Sequence, residues 1–388
     1  FTLKASYSLT ADRGPADVTN SQAIITSYSP YRPFTSIQES GLYIKELENS
    51  ELTYEKKHEL NIGADMGFLN NRINLAVDWY KRNNYDLIGI VNTQGAGGQI
   101  LKYANIASMK SHGIEFTLST KNIKTKDFNW NTDFIFSNAK NEVTDLKQNA
   151  NVMELISGNG FAKQGYPVRG LFSIPFVGLD KDGIPVIINE KGEATSTDIN
   201  FQERQNTGFL KYEGPTDPTI TGSLGNMFSY KGFRLNLFIT YSFGNVIRLN
   251  PVFKAYYSDL TAMTREFKNR WTLPGDEAKT NVPAILSKRM YDSNEDLKYA
   301  YNAYNYSTER IAKGDFIRLK EISLAYDFPK AWINPLKLTD LSLKVQATNL
   351  FLIYADDKLN GQDPEFFNAG GVASPVPRQF TITLRLGL

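Results

Sequence analysis

The sequence contains no cysteine and only two histidines among its 388 residues. The absence of cysteine excludes disulfide bonds, thiol nucleophiles and thiolate metal sites, and it is compatible with an exported protein. His58 and His112 each lie near the end of an alternating segment, without a serine or cysteine nucleophile arranged beside them. We therefore assign both histidines a surface or structural role and predict that the protein is not an enzyme.

The chain also lacks a large charge of either sign and lacks long apolar runs. Its formal net charge is +2, and no basic cluster with interleaved aromatic residues offers a track for phosphates, which excludes nucleic acid as a partner. The mean hydropathy is −0.36, and no segment has the roughly 18 consecutive apolar residues of a transmembrane helix. A transmembrane barrel stays open, because its strands are only half apolar.

Residues 59–82 contain the pattern of a complete antiparallel hairpin. The first half alternates apolar and polar residues with a period of two, which predicts a strand with one apolar face. Asn70 and Asn71 then form a tight polar turn, and the alternation resumes with Trp79 on the apolar face. The polar face carries carboxylates and amides, which suit a water-filled lumen at least as well as a solvent-exposed surface.

The same alternation recurs along the chain and predicts about ten strands. Further strands are expected at residues 1–9, 114–119, 130–137, 221–228, 233–243, 317–328, 341–348 and 380–388. Short polar turns alternate with long connections, which we expect at residues 11–50, 88–104, 144–217 and 247–308. Short periplasmic turns and long outer loops are typical of outer-membrane barrels, so the predicted fold is all-β, a transmembrane antiparallel β-barrel with long extracellular loops. An open sheet would expose its edges, so we expect it to join strands preceding Phe1 or to close on itself.

Two local features fall within the long connections. Val252, Tyr256, Leu260, Met263 and Phe267 recur at helical spacing, which predicts a short amphipathic helix there. Asp180-Lys181-Asp182-Gly183 resembles part of a calcium loop, but with Gly183 in the sixth position the twelfth position is Asn189, where an acid is needed. The sequence therefore predicts a glycine turn and no cofactor, while loop calcium in another geometry stays open.

A series of short motifs runs through nearly the whole chain. It comprises Asp78-Trp79-Tyr80-Lys81-Arg82, Ser111-His112-Gly113-Ile114-Glu115, Gly225-Asn226-Met227-Phe228-Ser229-Tyr230-Lys231-Gly232-Phe233, Gly314-Asp315-Phe316-Ile317-Arg318-Leu319-Lys320, Asp363-Pro364-Glu365, and residues 52–56, 61–63, 69–73, 128–130, 269–271 and 347–350. No single motif is specific. In this order and spacing, however, they resemble the barrel of SusC/RagA-type TonB-dependent outer-membrane transporters.

The resemblance implies a 22-stranded barrel in the outer membrane of a diderm bacterium, of which residues 1–388 would form about the last ten strands. It implies an upstream plug with a TonB-contacting segment, the N-terminal part of the same barrel, and contact with outer-membrane lipid. A SusD-like surface lipoprotein is the implied partner over the outer loops, and a dimer of transporter–lipoprotein pairs is compatible with it. The implied function is TonB-dependent import of a bulky nutrient, an oligosaccharide or a peptide.

Two groups of residues are candidates for contact with cargo. Seven charged residues should face the lumen, where a solvated wall touching the plug is favoured over direct contact with cargo: Glu59, Asp65, Asp78, Glu115, Asp133, Lys344 and Arg385. Eight aromatic residues fall in predicted outer loops: Tyr256, Tyr257, Trp271, Tyr301, Tyr304, Tyr306, Phe366 and Phe367. Aromatic faces suit sugar rings or peptide side chains, and burial against the lipoprotein or within the loops is an equal alternative.

Three other functions compete with the importer. A passive porin would be excluded by a plug upstream of Phe1. A soluble β-rich glycan-binding protein would pack its alternating faces sheet on sheet and would not need detergent. An outer-membrane hydrolase is disfavoured because the sequence shows no convincing arrangement of nucleophile and base.

Overall fold

The computed structural model describes residues 1–14, 22–93, 95, 101–251, 264–367 and 377–387. Nineteen strands occur in these residues. In chain order they are β1 (Thr2–Asp12), β2 (Ile24–Tyr28), β3 (Gly41–Glu46), β4 (Glu55–Phe68), β5 (Ile73–Asn92), β6 (Leu101–Lys124), β7 (Phe128–Leu146), β8 (Gly170–Ser173), β9 (Phe176–Leu179), β10 (Pro185–Ile188), β11 (Ala194–Thr195), β12 (Lys211–Pro215), β13 (Ile220–Tyr230), β14 (Phe233–Phe243), β15 (Val246–Arg248), β16 (Ile311–Lys313), β17 (Phe316–Asp327), β18 (Asp340–Ala355) and β19 (Gln379–Gly387).

Helices are short and lie between the strands. The α-helices are α1 (Val152–Ile156), α2 (Lys288–Ser293), α3 (Leu297–Asn305) and α4 (Lys330–Ile333). Single 3-10 turns occur at Arg265–Asn269, Asp276–Ala278, Thr308–Arg310, Asn334–Leu336, Asp357–Leu359 and Pro364–Phe366. Across the described ranges, none of the helices has both the length and the apolar character that a membrane span requires.

One large antiparallel sheet dominates the fold. Its strand order is β1-β4-β5-β6-β7-β13-β14-β17-β18-β19, so every strand pairs with its neighbours in the order of the chain. The small strands pair separately, as β2 with β3, β8 with β12, β15 with β16, and β9 with β10 and β11. The predicted all-β fold is confirmed by this architecture.

Three of the four connections at one end of the large sheet are tight turns, and the fourth, from β17 to β18, contains α4 and a 3-10 turn. Tight turns join β4 to β5, β6 to β7 and β13 to β14. Asn70, Asn71 and Lys231 adopt positive φ angles of 55°, 60° and 42° in two of these turns, which is the left-handed conformation that tight hairpins use. Because adjacent strands run in opposite directions, the long connections all lie at the opposite end of the sheet. We call these two ends the turn end and the loop end.

Two predicted connections differ from the structure. The connection expected at residues 88–104 is wrong in its bounds, because β5 continues to Asn92 and β6 begins at Leu101, with Ile88 paired to Asn105 and Val91 to Lys102. The backbone on both sides of this connection continues the hydrogen-bonded ladder of β5 and β6. The helix expected around residues 252–263 lies outside the described residues, and Phe267 belongs to a 3-10 turn.

The segment 144–217 is also more than a connection. It contains α1 and the strands β8 to β12, and it encloses a hydrophobic cluster to which α3 contributes. The buried members of this cluster are Ala150, Val152, Leu155, Ile156, Phe172, Ile174, Ile187, Leu210 and Ala303. The long loops therefore fold into a body with its own core, which we call the loop assembly, rather than extending as separate strands of chain.

The register gives the large sheet one apolar face. Ile62 pairs with Trp79, and Trp79 pairs with Ile114, so apolar side chains lie side by side across three strands. Large apolar residues on this face are exposed when the chain is considered alone. The exposed fraction is 74% for Ile382 and 67% for Leu3. A soluble protein rarely leaves a continuous apolar face of this kind uncovered.

Aromatic residues concentrate at two levels of this apolar face. Trp130 stacks on Phe228 with ring centroids 5.6 Å apart near the turn end, and Tyr241 stacks on Phe134 at 6.3 Å nearer the loop end. Gly222 pairs with both Tyr241 and Phe136, so these two residues lie at the same height along the strands. Since Trp130 and Phe136 are six residues apart on β7, the two levels are separated by about 20 Å along the strand. This spacing is comparable to the apolar band of about 25 Å in outer-membrane barrels.

Candidate functional site at the loop end

The register brings the seven predicted lumen-facing residues onto one face of the large sheet. Asp78 pairs with Gly63 and Glu115, and Asp133 pairs with Gly225. Following these pairs across the sheet puts all seven on the face opposite the apolar one: Glu59, Asp65, Asp78, Glu115, Asp133, Lys344 and Arg385. We call this the polar face. That it lines a lumen stays a prediction.

Ion pairs link neighbouring strands on the polar face. Lys4 Nζ on β1 lies 2.8 Å from Asp65 Oδ2 on β4. Glu59 is buried on β4, with its Oε2 3.1 Å from Arg82 Nε on β5 and 3.0 Å from Lys57 Nζ. In these ion pairs the carboxylates contact basic residues of the same sheet. This arrangement fits a solvated wall better than carboxylates that are free to bind cargo.

The predicted loop aromatics separate into three sets. Tyr301 and Tyr304 on α3 are both 0% exposed, and Phe367 is buried in a cluster with Ile247 and Leu249. These three residues pack within the loops, so their rings are covered and cannot stack on cargo in this structure. Trp271, Tyr306 and Phe366 are partly exposed. Tyr256 and Tyr257 lie outside the described residues.

A buried arginine joins separate parts of the loop assembly. Arg310 follows α3, and its Nη1 and Nη2 lie 2.6 and 2.9 Å from the two carboxylate oxygens of Glu266. Nη2 also donates to the backbone carbonyl of Asn250 at 2.6 Å. A bidentate guanidinium–carboxylate pair has fixed geometry, so this contact holds three distant segments of the loop in one arrangement.

Arg248 on β15 has a similar role with different partners. Its Nη2 donates to the Phe172 carbonyl at 2.6 Å and to Ser173 Oγ at 3.1 Å, and its Nη1 donates to the Ser307 carbonyl at 3.3 Å. Burial lowers the pKa of Arg248 to about 10. The guanidinium thus keeps its charge at neutral pH and connects β8 to the end of α3.

A third buried arginine attaches the last long loop to the sheet. Arg318 lies on the polar face of β17 and forms ion pairs with Asp363 and Glu365, both in the connection between β18 and β19. Sequence reasoning missed all three arginines, because an arginine in a polar loop or strand has no pattern that announces its burial. Finding them would have required a comparison of related sequences that shows which residues accompany each arginine, and a single sequence does not contain that information.

The predicted glycine turn is present between β9 and β10. Asp180 Oδ1 accepts hydrogen bonds from the backbone N–H groups of Asp182 and Ile184, both at 2.9 Å, and Gly183 has a φ of 76°. Trp271 lies directly against Gly183, and its indole N–H donates to Glu277 at 2.9 Å. The Asp180 carboxylate is therefore used to close the turn. No group of three metal-binding side chains occurs in the ranges that the structure describes.

A cavity of about 620 Å³ lies where β13, β14 and β17 meet the loop assembly. Thr221 and Ser242 pair across β13 and β14 on the polar face, and Thr240 adjoins them. Loop residues Asn245 and Glu365 close the other side. We call this space the wall cavity, because three strands of the sheet form one side of it.

No protein-family model matches the sequence. Individual curated proteins, however, are similar to it. TonB-dependent receptor P3 of Formosa agariphila is 25% identical over 382 residues, which is 93% of this chain and 35% of that protein. TonB-dependent receptor SusC of Bacteroides thetaiotaomicron is 26% identical over 364 residues, which is 88% of this chain and 32% of that protein. The chain thus spans only about a third of the length of these two relatives.

Solved structures show the same fold. The structure of the RagAB peptide transporter matches 99% of this chain and 40% of the solved chain, with a TM-score of 0.75 and 24% identity. The RagAB peptide importer in its open-open state matches 100% of this chain, with a TM-score of 0.76 and 24% identity. The comparisons place this chain in the outer membrane. They also confirm the resemblance drawn from the motifs, since the chain is similar over its whole length to SusC/RagA-type TonB-dependent transporters.

Proposed function

We propose that this chain is part of a transporter that imports a bulky nutrient across the outer membrane and is energised by TonB. The observation that carries the proposal is the division of the chain into a membrane sheet with one polar face and a folded loop assembly at one end only. A wall of this kind can line a passage, and a folded assembly above it can hold cargo at its entrance. The names of the curated relatives support the dependence on TonB.

The proposed mechanism is binding followed by gated passage. Cargo binds between the loop assembly and a SusD-like surface lipoprotein, and it passes inward when an upstream plug is remodelled from the periplasm. No bond in the cargo is made or broken. The ion pairs of Arg310 and Arg318 and the hydrogen bonds of Arg248 give the loop assembly a fixed shape, so we assign the moving parts to the plug and the lipoprotein rather than to this assembly.

The cargo belongs to the class of oligosaccharides or peptides. RagAB is described as a peptide importer, and its fold matches this chain throughout. Partly exposed rings at Trp271, Tyr306 and Phe366 can contact either kind of cargo, because an aromatic face adds contact area at low conformational cost. The proposed partners are the lipoprotein, TonB acting through the plug, the N-terminal part of the barrel, and a second transporter–lipoprotein pair in a dimer.

The first experiment is purification of the intact complex from outer membranes in detergent, with identification of every polypeptide by mass spectrometry. We expect a plug-bearing segment and a surface lipoprotein in stoichiometric amounts. Nutrient uptake by cells with and without TonB then separates the importer from a passive porin, because diffusion through a porin continues without TonB. Uptake that is equal in both strains would contradict the proposal.

A further inference from the structure

Two lysines and a histidine form one row across three neighbouring strands of the large sheet. Lys81 on β5 pairs with His112 on β6, and His112 pairs with Lys140 on β7. In the next row towards the turn end, Trp79 pairs with Ile114, and the ladder is regular between the two rows. The first row therefore lies on the apolar face of the sheet, immediately beyond Trp79 on the side of the loop end. We call its three residues the basic row.

The two lysines of the basic row have no acidic partner in the part of the chain that the structure describes. Lys81 and Lys140 make no ion pair or hydrogen bond there, and both residues are exposed. The next row towards the loop end contains Glu142, but its Oε2 lies 3.0 Å from Lys110 Nζ. Asp145 lies one row further on, roughly 14 Å from Lys140 along the strand. The nearest carboxylate is therefore already used.

The surface around the basic row has a clear excess of positive charge. The basic row and the row beyond it contain three lysines on β5 to β7 and one carboxylate, Glu142, so they carry two net positive charges with His112 neutral. Asp86, further along β5, is held by Lys56 Nζ at 2.7 Å. The backbones of Lys81 and Lys140 are about 10 Å apart across β6. One small anionic group can therefore lie between the two ammonium groups.

The position of the basic row along the apolar face determines which ligand can reach it. Trp79, Val77 and Leu75 occupy the next three rows on β5, and each pairs with an apolar residue of β6. A lysine at the edge of such a surface extends its methylene chain along apolar groups and places its ammonium among lipid headgroups. Tryptophan is enriched at the same level of a membrane. Basic clusters at this depth attract anionic headgroups.

We propose that the basic row binds the phosphate of an outer-leaflet glycolipid of the lipid A type, with Lys81 and Lys140 on the phosphate oxygens and the acyl chains along the apolar rows of β5 and β6. Such a lipid combines a sugar phosphate with several acyl chains, which match a positive row beside an apolar surface. His112, between the two lysines, can donate a hydrogen bond to the same phosphate. This inference rests on the proposed function for the outward orientation of the loop end, and it adds one specific lipid to the proposed partners.

The test uses the intact complex purified in detergent, and native mass spectrometry counts the lipid bound to it. The added probes are lipid A with one phosphate, the same lipid after enzymatic removal of the phosphate, and inorganic phosphate. We expect the phosphorylated lipid to bind at least about tenfold more tightly than the dephosphorylated one, because a hydrogen bond to a charged group contributes that much to affinity. Inorganic phosphate lacks acyl chains and should not displace the lipid at millimolar concentration.

Three variants locate the binding. The double variant Lys81→Gln with Lys140→Gln should bind the phosphorylated lipid about tenfold or more weakly and the dephosphorylated lipid as the parent does. Replacing both lysines by arginine keeps the two charges and should retain most of the affinity. Lys126→Gln removes one charge from the exposed turn between β6 and β7, at the opposite end of the sheet, and should change nothing. Equal binding of the two lipids by the parent, or unchanged binding by the glutamine variant, would overturn the proposal.

Further outcomes identify the source of the phosphate and separate this inference from its foundation. Displacement of the lipid by inorganic phosphate would assign the basic row to a free anion and overturn the lipid. Equal binding of the two lipids by a complex whose uptake needs TonB would remove the lipid site and leave the proposed function standing. Phosphate-selective binding by a complex whose uptake is the same without TonB would contradict the proposed function and support the lipid site.

Discussion

Arg310 and Glu266 form a bidentate ion pair in which the guanidinium side chain is only 1% exposed. Removing Glu266 would leave a buried charge without its counter-ion. We expect Glu266→Ala to lower the free energy of local unfolding of the loop assembly by about 3 kcal/mol or more. Hydrogen–deuterium exchange of the amides around residues 305–313 measures the change, in the purified complex.

The matched control is the exposed pair of Lys191 and Asp198, whose Nζ and Oδ2 atoms are 2.8 Å apart. Both side chains are more than half exposed, and exposed pairs contribute little to stability. Asp198→Ala should leave exchange unchanged in its own loop. Similar exchange in the two variants would mean that Arg310 finds another partner and that burial of the pair does not hold the loops together.

Gly183 packs under the indole of Trp271, and a Cβ at Gly183 would come within 2.5 Å of that ring. Gly183→Ala should therefore combine left-handed strain of about 1 to 2 kcal/mol with overpacking of about 1 to 3 kcal/mol. Gly192 is the control, because its φ of 80° is similar and nothing lies within 4 Å of its Cβ position. Exchange in the β9–β10 hairpin should rise more in Gly183→Ala than exchange around residue 192 rises in Gly192→Ala. Equal effects would show that the ring moves aside freely.

The indole of Trp271 also shifts the pKa of a neighbouring carboxylate. The hydrogen bond from the Trp271 indole, with smaller help from backbone N–H groups, lowers the pKa of Glu277 below its ordinary value of 4.5. Since the pKa in the folded state is the lower one, the stabilisation is present above pH 4.5 and is lost as the pH falls through the folded pKa. The fluorescence of Trp271, taken as the difference between the parent and Trp271→Phe, should change only below pH 4.5. Glu277→Gln still accepts the hydrogen bond and should abolish that change, whereas a change that persists in this variant would assign it to another acid.

The sheet was predictable from sequence and the loop assembly was not, for a physical reason. Alternation with a period of two decides which face of a strand is apolar, so Leu60, Ile62 and Trp79 could be placed correctly without coordinates. The burial of Tyr301 and Tyr304 depends on contacts between segments far apart in the chain, and no local pattern encodes it. For the same reason the buried ion pair of Arg310 and Glu266 was invisible in the sequence.

The two faces of the sheet can be tested at adjacent positions on one strand. Val77 lies on the apolar face of β5, paired with Ala64 and Phe116, and Asp78 lies on the polar face beside Glu115. Val77→Arg should cost about 2 to 4 kcal/mol if the position is near the middle of the bilayer. Asp78→Arg should be tolerated, because its side chain faces water and gains an acidic neighbour. The amount of heat-modifiable folded protein in outer membranes should fall for Val77→Arg and stay near the parental level for Asp78→Arg. The reverse order would place lipid on the polar face and would reverse our assignment of the lumen.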